Sequence, residues 1–266
     1  MLTVRHHDQV RELILTTRLT RAVRFRVSAF VCRGFLIDTG FPRIRSELLA
    51  YLEREPVQGA IVTHWHEDHA GNVTALAERG VPVVVSDETL RAHRAMPTVP
   101  PYRWAIWGHP RPGSIVPRSS EHPFTLVPTP GHTDDHIAVW DAETGTLFSG
   151  DLFLGVKASF VHAEESVAAL IASLERVAAL GPDRMFDAHR GLVDRPVAAL
   201  RAKIEWLEKT ASAVRTALAN GVPEGAIVAK LLGGEAPVAF FSFGQVSRRN
   251  FVRVIRADAR AGVRSP

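Results

Sequence analysis

Residues Thr63-His64-Trp65-His66-Glu67-Asp68-His69 put three imidazoles and two carboxylates into one short run. An apolar stretch, Val57-Gln58-Gly59-Ala60-Ile61-Val62, precedes it, and a helix-like stretch, Ala70 to Glu78, follows. Alternate side chains of an extended segment point the same way, so His64 and His66 face one point in space. Asp68 and His69 fall where the chain turns into the helix and address a second, neighbouring point. Histidine is 12 of 266 residues, so three within six positions at a strand end are not explained by composition. Imidazole with carboxylate suits Zn, Fe or Mn, and the run lacks the thiolates of a closed structural zinc site.

A chain of 266 residues is one large domain or a domain with an appendage. A hydrophobic content of 46% and a charged content of 23% belong to an ordinary globular protein. No run approaches the roughly 18 consecutive apolar residues of a membrane-spanning helix. The first residues, Met1 to Asp8, lack the basic-then-apolar order of a signal peptide, and the expected location is cytoplasmic. Cys32, the single cysteine, cannot form an intramolecular disulfide and reads as a buried structural thiol. The formal charge of +4 concentrates in arginines at 18–26 and 248–264. It is read as an arginine-rich composition rather than a nucleic-acid footprint.

The segment Val23 to Val31 alternates apolar and polar residues and predicts a half-buried strand, turned at Arg33-Gly34 into Phe35-Leu36-Ile37-Asp38. Further strands are predicted at 57–63, 81–86, 124–128 and 136–140, with Leu147-Phe148-Ser149 following the turn at 143–146. Helices are predicted after His69, after Ser86 and over 164–180. Beyond residue 193 the texture becomes helical. Asp194 is the expected cap of a long helix with Pro196 in its first turn, and shorter helices are predicted at 224–232 and 246–260. No strand is expected in the last 70 or so residues. The domains expected are 1–193, carrying the chemistry, and 194–266, a helical extension.

Other histidines and aspartates recur at predicted strand ends: Pro130-Gly131-His132-Thr133-Asp134-Asp135-His136, Ser149-Gly150-Asp151, and Asp187-Ala188-His189. A glycine near each permits tight turns and close backbone approach. In this order, His64-x-His66-x-Asp68-His69, then His132, Asp151 and His189, the chain resembles the metallo-β-lactamase superfamily over roughly residues 20 to 193, with a glyoxalase II-like group and a helical C-terminal extension. The resemblance implies an α/β (α+β) fold, a four-layer αββα sandwich with a C-terminal helical appendage. It implies one metal ion held by His64, His66 and His132, a second held by Asp68, His69 and His189, and Asp151 bridging them. Two divalent ions, zinc first and iron or manganese as alternatives, would share a hydroxide able to attack a carbonyl. Asp68, beside that nucleophile, is the expected proton shuttle. Asp38 matches the family's carboxylate that orients a liganding histidine, and His136 has a similar supporting position. Of Asp134 and Asp135, a solvated turn is the expected reading and proton transfer the alternative.

Within such a superfamily the metal site is shared and the substrate is not. The stretch after Asp151, Leu152 to Lys157, lacks the tyrosine of acyl-homoserine lactonases and the glutathione-binding stretch of glyoxalase II enzymes. The expected activity is hydrolysis of a small-molecule ester, thioester or lactone. A phosphodiesterase or nuclease of the same fold, or a non-hydrolytic iron-binding redox member, are the alternatives. Neither nucleic acid nor a membrane is an expected partner, and a homodimer is left open. The segment Thr98 to Pro110, rich in proline and tryptophan, is read either as a loop walling the metal cleft or as a structural loop packed on the core.

Overall fold

The computed structural model describes residues 1–95, 100–109, 121–157 and 161–262. The chain divides into two compact units. The first comprises Met1–Pro128, Asp135–Asp151 and Arg184–Val193, and the second Thr129–Asp134, Leu152–Asp183 and Asp194–Pro266.

One sheet of the first unit runs in chain order through β1 (Leu2–His7), β2 (Val10–Leu15), β3 (Val27–Cys32), β4 (Phe35–Ile37), β5 (Gly59–Ile61) and β6 (Val83–Val84). Its first four strands are antiparallel neighbours, and β4, β5 and β6 are parallel. Next in the chain come β7 (Thr125–Pro128), β8 (Ile137–Asp141) and β9 (Thr146–Phe148), then β10 (Val161–His162) of the second unit, then β11 (Arg184–Asp187) and β12 (Gly191–Val193). The second sheet has the order β12-β11-β9-β8-β7.

Period-two alternation decides what lies between the sheets. On β3, Phe30 and Cys32 face the second sheet with Val10, Phe35 and Ile37, meeting Phe124, Ile137, Val139, Phe148 and Phe186. The rings of Phe148 and Phe186 stack at 5.5 Å, and Phe30 lies 5.4 and 5.3 Å from them. The other β3 residues, Val27, Ala29 and Val31, pack with Phe41, Ile44, Leu48 and Leu76. β3 is therefore buried on both faces, not half-buried as its pattern suggests. Arg24 and Arg26, the polar members of that pattern, precede the strand, and Ser28 is satisfied by donating to the buried Glu12 carboxylate at 2.8 Å.

The first unit's helices are α1 (Arg18–Ala22), α2 (Arg45–Arg54), α3 (Glu67–Ala70), α4 (Val73–Glu78), α5 (Asp87–Ala95) and α6 (Pro101–Trp107). The hairpin β1–β2 carries no sequence signal. Its strands pair over Leu2↔Leu15 to His7↔Val10, and its turn uses Asp8 at φ 52° in place of a signalling glycine.

In the second unit, α7 (Val167–Ala179), α8 (Pro196–Ala219), α9 (Glu224–Leu232), α10 (Val238–Phe241) and α11 (Arg248–Gly262) agree with the helical texture expected. Ser166 caps α7, and the Asp258 carboxylate of α11 accepts from Ser166 Oγ and the Ala168 N–H, both at 2.9 Å. Two details correct the expectation. Arg195, in the left-handed region, occupies the cap position of α8 without a side-chain bond, so Asp194 does not cap it. A short strand, β13 (Val246–Ser247), pairs with β10 where none was expected, because two residues carry no readable period. Phe240, Phe241 and Phe243 are exposed.

Candidate metal centre

The run His64–His69 leaves β5 and enters α3. Every strand of the parallel set ends toward this edge, as open parallel sheets direct their loops to one side. One ligand atom each from His64, His66 and Asp151 lie within 4.8 Å of one another. Asp68, His69 and His189 form a second group within the same span. Asp151 stands against both groups. Its Oδ1 is 3.2 Å from His69 Nε2 and 3.2 Å from His189 Nε2, while Asp68 Oδ2 is 3.7 Å from His189 Nε2.

The far nitrogens of His64, His69 and His189 are each tied to oxygen. Asp38 and a backbone carbonyl can only accept, so His69 Nδ1–H donates to Asp38 Oδ2 at 2.8 Å and His189 Nδ1–H to the Arg26 carbonyl at 2.8 Å. Thr63 links Asp38 to the other group. Its hydroxyl lies 3.0 Å from both Asp38 oxygens and 3.0 Å from His64 Nδ1, and its N–H donates to Asp38 at 2.8 Å. The Nε2 atoms of His64, His69 and His189 are thereby turned inward. His64 Nε2 meets His66 Nδ1 at 3.0 Å. Asp38 thus has the orienting place expected of it. His136 supports Asp151 from behind, its Nε2 accepting the Asp151 N–H at 3.0 Å.

Gly150 makes that approach possible. At φ 50°, a Cβ there would come within 2.7 Å of His136 Nε2 and 3.0 Å of Thr63 Oγ1. Asp135 is buried and accepts from the Trp65 N–H at 2.9 Å and Thr89 Oγ1 at 2.8 Å, clamping the ligand run, whereas Asp134 is exposed. Asp135 is therefore not part of a solvated turn.

His132 belongs to the second unit and is buried. Its Nδ1 lies 3.4 Å from Glu165 Oε1, and its ring meets His162 edge-on at 5.6 Å. Gly131, at φ 137°, seats this loop on α7. A Cβ would come within 2.5 Å of the Leu170 nitrogen.

The donor set calls for positive charge at its centre. Burial holds His64 well below the usual imidazole range, with His69 and His66 reinforcing it, so its ring favours the neutral form. Burial also opposes charge on His69 and His189, but Asp151 together with Asp38 and Asp68 raises His69 well above that range, and Asp151 and Asp68 raise His189 to about 9. Burial raises the Asp151 carboxyl, yet His189 and His69 outweigh it and hold it well below the carboxylate range. The inward Nε2 atoms of His69 and His189 converge on the Asp151 carboxylate where a divalent cation would sit, so the residues present fit such an ion.

The segment 98–110 does not form a loop where it is described; Thr98, Val99 and Pro110 lie outside the described residues. Pro101 opens α6, and Trp107 is buried, 5.1 Å from Phe41 and 5.8 Å from Phe25. Core packing of this tryptophan displaces the reading of it as substrate wall. Sequence reasoning missed Thr63, Phe25 and Arg103, which contact the ligands or their neighbours. Thr63 alone had a signal, being adjacent to His64.

A profile of the metallo-β-lactamase superfamily matches residues 24–189. The beta-lactamase-like protein 2 homolog of Drosophila melanogaster is 33% identical over 184 residues, 65% of this chain and 59% of that protein. A hydroxyacylglutathione hydrolase of Chromohalobacter salexigens is 34% identical over 142 residues, 52% of this chain and 50% of that protein. The chain thus spans between half and three fifths of these relatives' length. A metallo-β-lactamase family protein from Thermus thermophilus superposes with a TM-score of 0.67 at 19% identity, covering 95% of this chain and 92% of that one. This last likeness speaks for the fold, and it bears out the α+β architecture expected. By its matched profile and its fold, the chain belongs to the metallo-β-lactamase superfamily.

Proposed function

We propose that this protein is a metal-dependent hydrolase that holds two divalent ions and cleaves an ester, thioester or lactone of a small molecule. His64, His66 and His132 would hold one ion, and Asp68, His69 and His189 the other, with Asp151 between them. The observation that carries this reading is Asp151 Oδ1 at 3.2 Å from the inward nitrogens of both His69 and His189, each imidazole tied behind to an oxygen. Relatives named hydroxyacylglutathione hydrolase support an acyl substrate.

Divalent ions bound there would bring the pKa of water toward about 7 and polarise a carbonyl. The chain's own groups do the rest. Asp38 and Thr63 fix the ligand tautomers, and His136 fixes the Asp151 backbone. Asp68, whose Oδ2 is 3.7 Å from His189 Nε2, would take a proton and return it to the leaving group.

Elemental analysis of purified protein should give close to two equivalents of zinc, or of iron or manganese, per chain. Less than one equivalent overturns the two-ion reading. A panel of thioesters, lactones and bis(p-nitrophenyl) phosphate should show turnover of the acyl compounds. Turnover of the phosphodiester alone would replace the acyl reading with a phosphodiesterase.

A further inference from the structure

Helix α6 reaches the Asp68–His69–His189 group from two directions. Arg103 Nη2 lies 2.5 Å from Glu67 Oε2 and 3.9 Å from Asp68 Oδ1, with only 13% of the Arg103 side chain and 8% of the Glu67 side chain exposed. Four residues on, Trp107 packs against Phe25, whose ring lies 4.7 Å from that of His189. The i, i+4 spacing puts Arg103 and Trp107 on one helical face. That face is anchored by the buried contact of Trp107 with Phe41 and by Arg43 Nη2 donating to the Trp104 carbonyl at 3.3 Å. One short helix therefore braces a carboxylate ligand through an ion pair and an imidazole ligand through an aromatic relay.

Glu67 and Asp68 are adjacent, buried carboxylates. Without a cation, the Glu67 charge would be uncompensated in a low-dielectric site and would compete with Asp68 for whatever positive charge was at hand. A guanidinium beside Glu67 removes that competitor and pins the first turn of α3, which carries both acids. Its cost is weak repulsion toward an ion on Asp68. The buried, close pairing with Glu67 makes positioning the larger effect, since the distance to Asp68 is 3.9 Å against 2.5 Å to Glu67.

We propose that Arg103 is a positioning residue for the second ion: through Glu67 it holds Asp68 in place, so α6 sets the affinity of the Asp68–His69–His189 group for metal. The inference rests on the two-ion reading above.

Zinc affinities of wild-type protein, Arg103→Met, Glu67→Gln and the double variant would be measured by competition with a chromophoric chelator, alongside circular dichroism and thermal melts. Arg103→Met should weaken the second equivalent about 10- to 100-fold, the usual effect of losing a ligand's supporting partner, and leave the first within about threefold. The double variant should lose about as much as Arg103→Met alone, because either change breaks the same pairing. Where Arg103→Met does not fold, Arg103→Lys, which keeps the charge and loses the planar fork, should show a loss of about 10-fold. A second-ion affinity in Arg103→Met that is unchanged or raised overturns the proposal, as does an equal loss at both equivalents. Wild-type protein that binds only one ion instead overturns the two-ion reading itself.

Discussion

The Asp38 carboxylate accepts from His69 Nδ1 at 2.8 Å, and through the hydroxyl of Thr63 it also reaches His64. One buried side chain thus orients an imidazole in each proposed half-site. Asp38 sits at φ 60°, a left-handed conformation that Asp and Asn tolerate better than most residues. Asp38→Asn should therefore keep the backbone but lose the charge and one of the two acceptor oxygens that Thr63 and His69 use. Affinity for both metal equivalents should fall about 10- to 100-fold. Thr63→Val should weaken mainly the equivalent held by His64. Chelator competition distinguishes the two patterns, and an Asp38→Asn protein with wild-type affinities would refute the shared-anchor account.

Metal binding should release protons. His69 lies well above the usual imidazole range and His189 at about 9, so both are protonated at pH 7 in the metal-free protein. An ion entering at Nε2 must displace those protons, and apparent affinity should therefore weaken as pH falls. Calorimetric titration with zinc in two buffers of different ionisation enthalpy reads the number released. Identical heats in both buffers would contradict it.

Gly150→Ala should destabilise the protein by about 1–3 kcal/mol, because alanine disfavours a positive φ. The added methyl would also press on His136 Nε2, 2.7 Å away, and disturb the support of Asp151. Chemical denaturation checks the stability, and metal content checks the support. A variant as stable as wild type with full metal content would show that the turn has slack.

Cys32 lies between the two sheets, and burial, aided by Asp141, pushes its thiol up to about 11. The fold favours the protonated form. Its stabilisation is fully present below the ordinary thiol pKa of about 8.5 and is lost as pH rises through about 11. Native protein at pH 8 should react with a thiol reagent only as fast as it unfolds, and Cys32→Ala should lose stability less steeply above pH 9. Labelling at the rate of an unfolded chain would show the sulfur to be accessible.

Much of the architecture was legible because local chemistry writes it in short range. Phe35 to Ile37, Thr125 to Pro128 and Val167 to Ala179 carry period, turn or cap signals within a few residues. The Leu2–His7 hairpin was not read, since its turn at φ 52° uses Asp8 where a glycine would be the stronger signal. α6 was misread for a different reason: two tryptophans beside prolines suit a loop as well as a helix, and only burial against Phe41 and Phe25 decides between them.

The sequence by itself determined the donor set, because imidazole and carboxylate at strand ends are chemistry that survives any detail of packing. Tertiary structure decided which atoms those donors present. Asp38 acts on His69 across 31 residues and Arg26 on His189 across 163, distances along the chain that no local pattern encodes. The pairing of Arg103 with Glu67 is of the same kind. Its energy comes from shared burial, which exists only once both helices have packed.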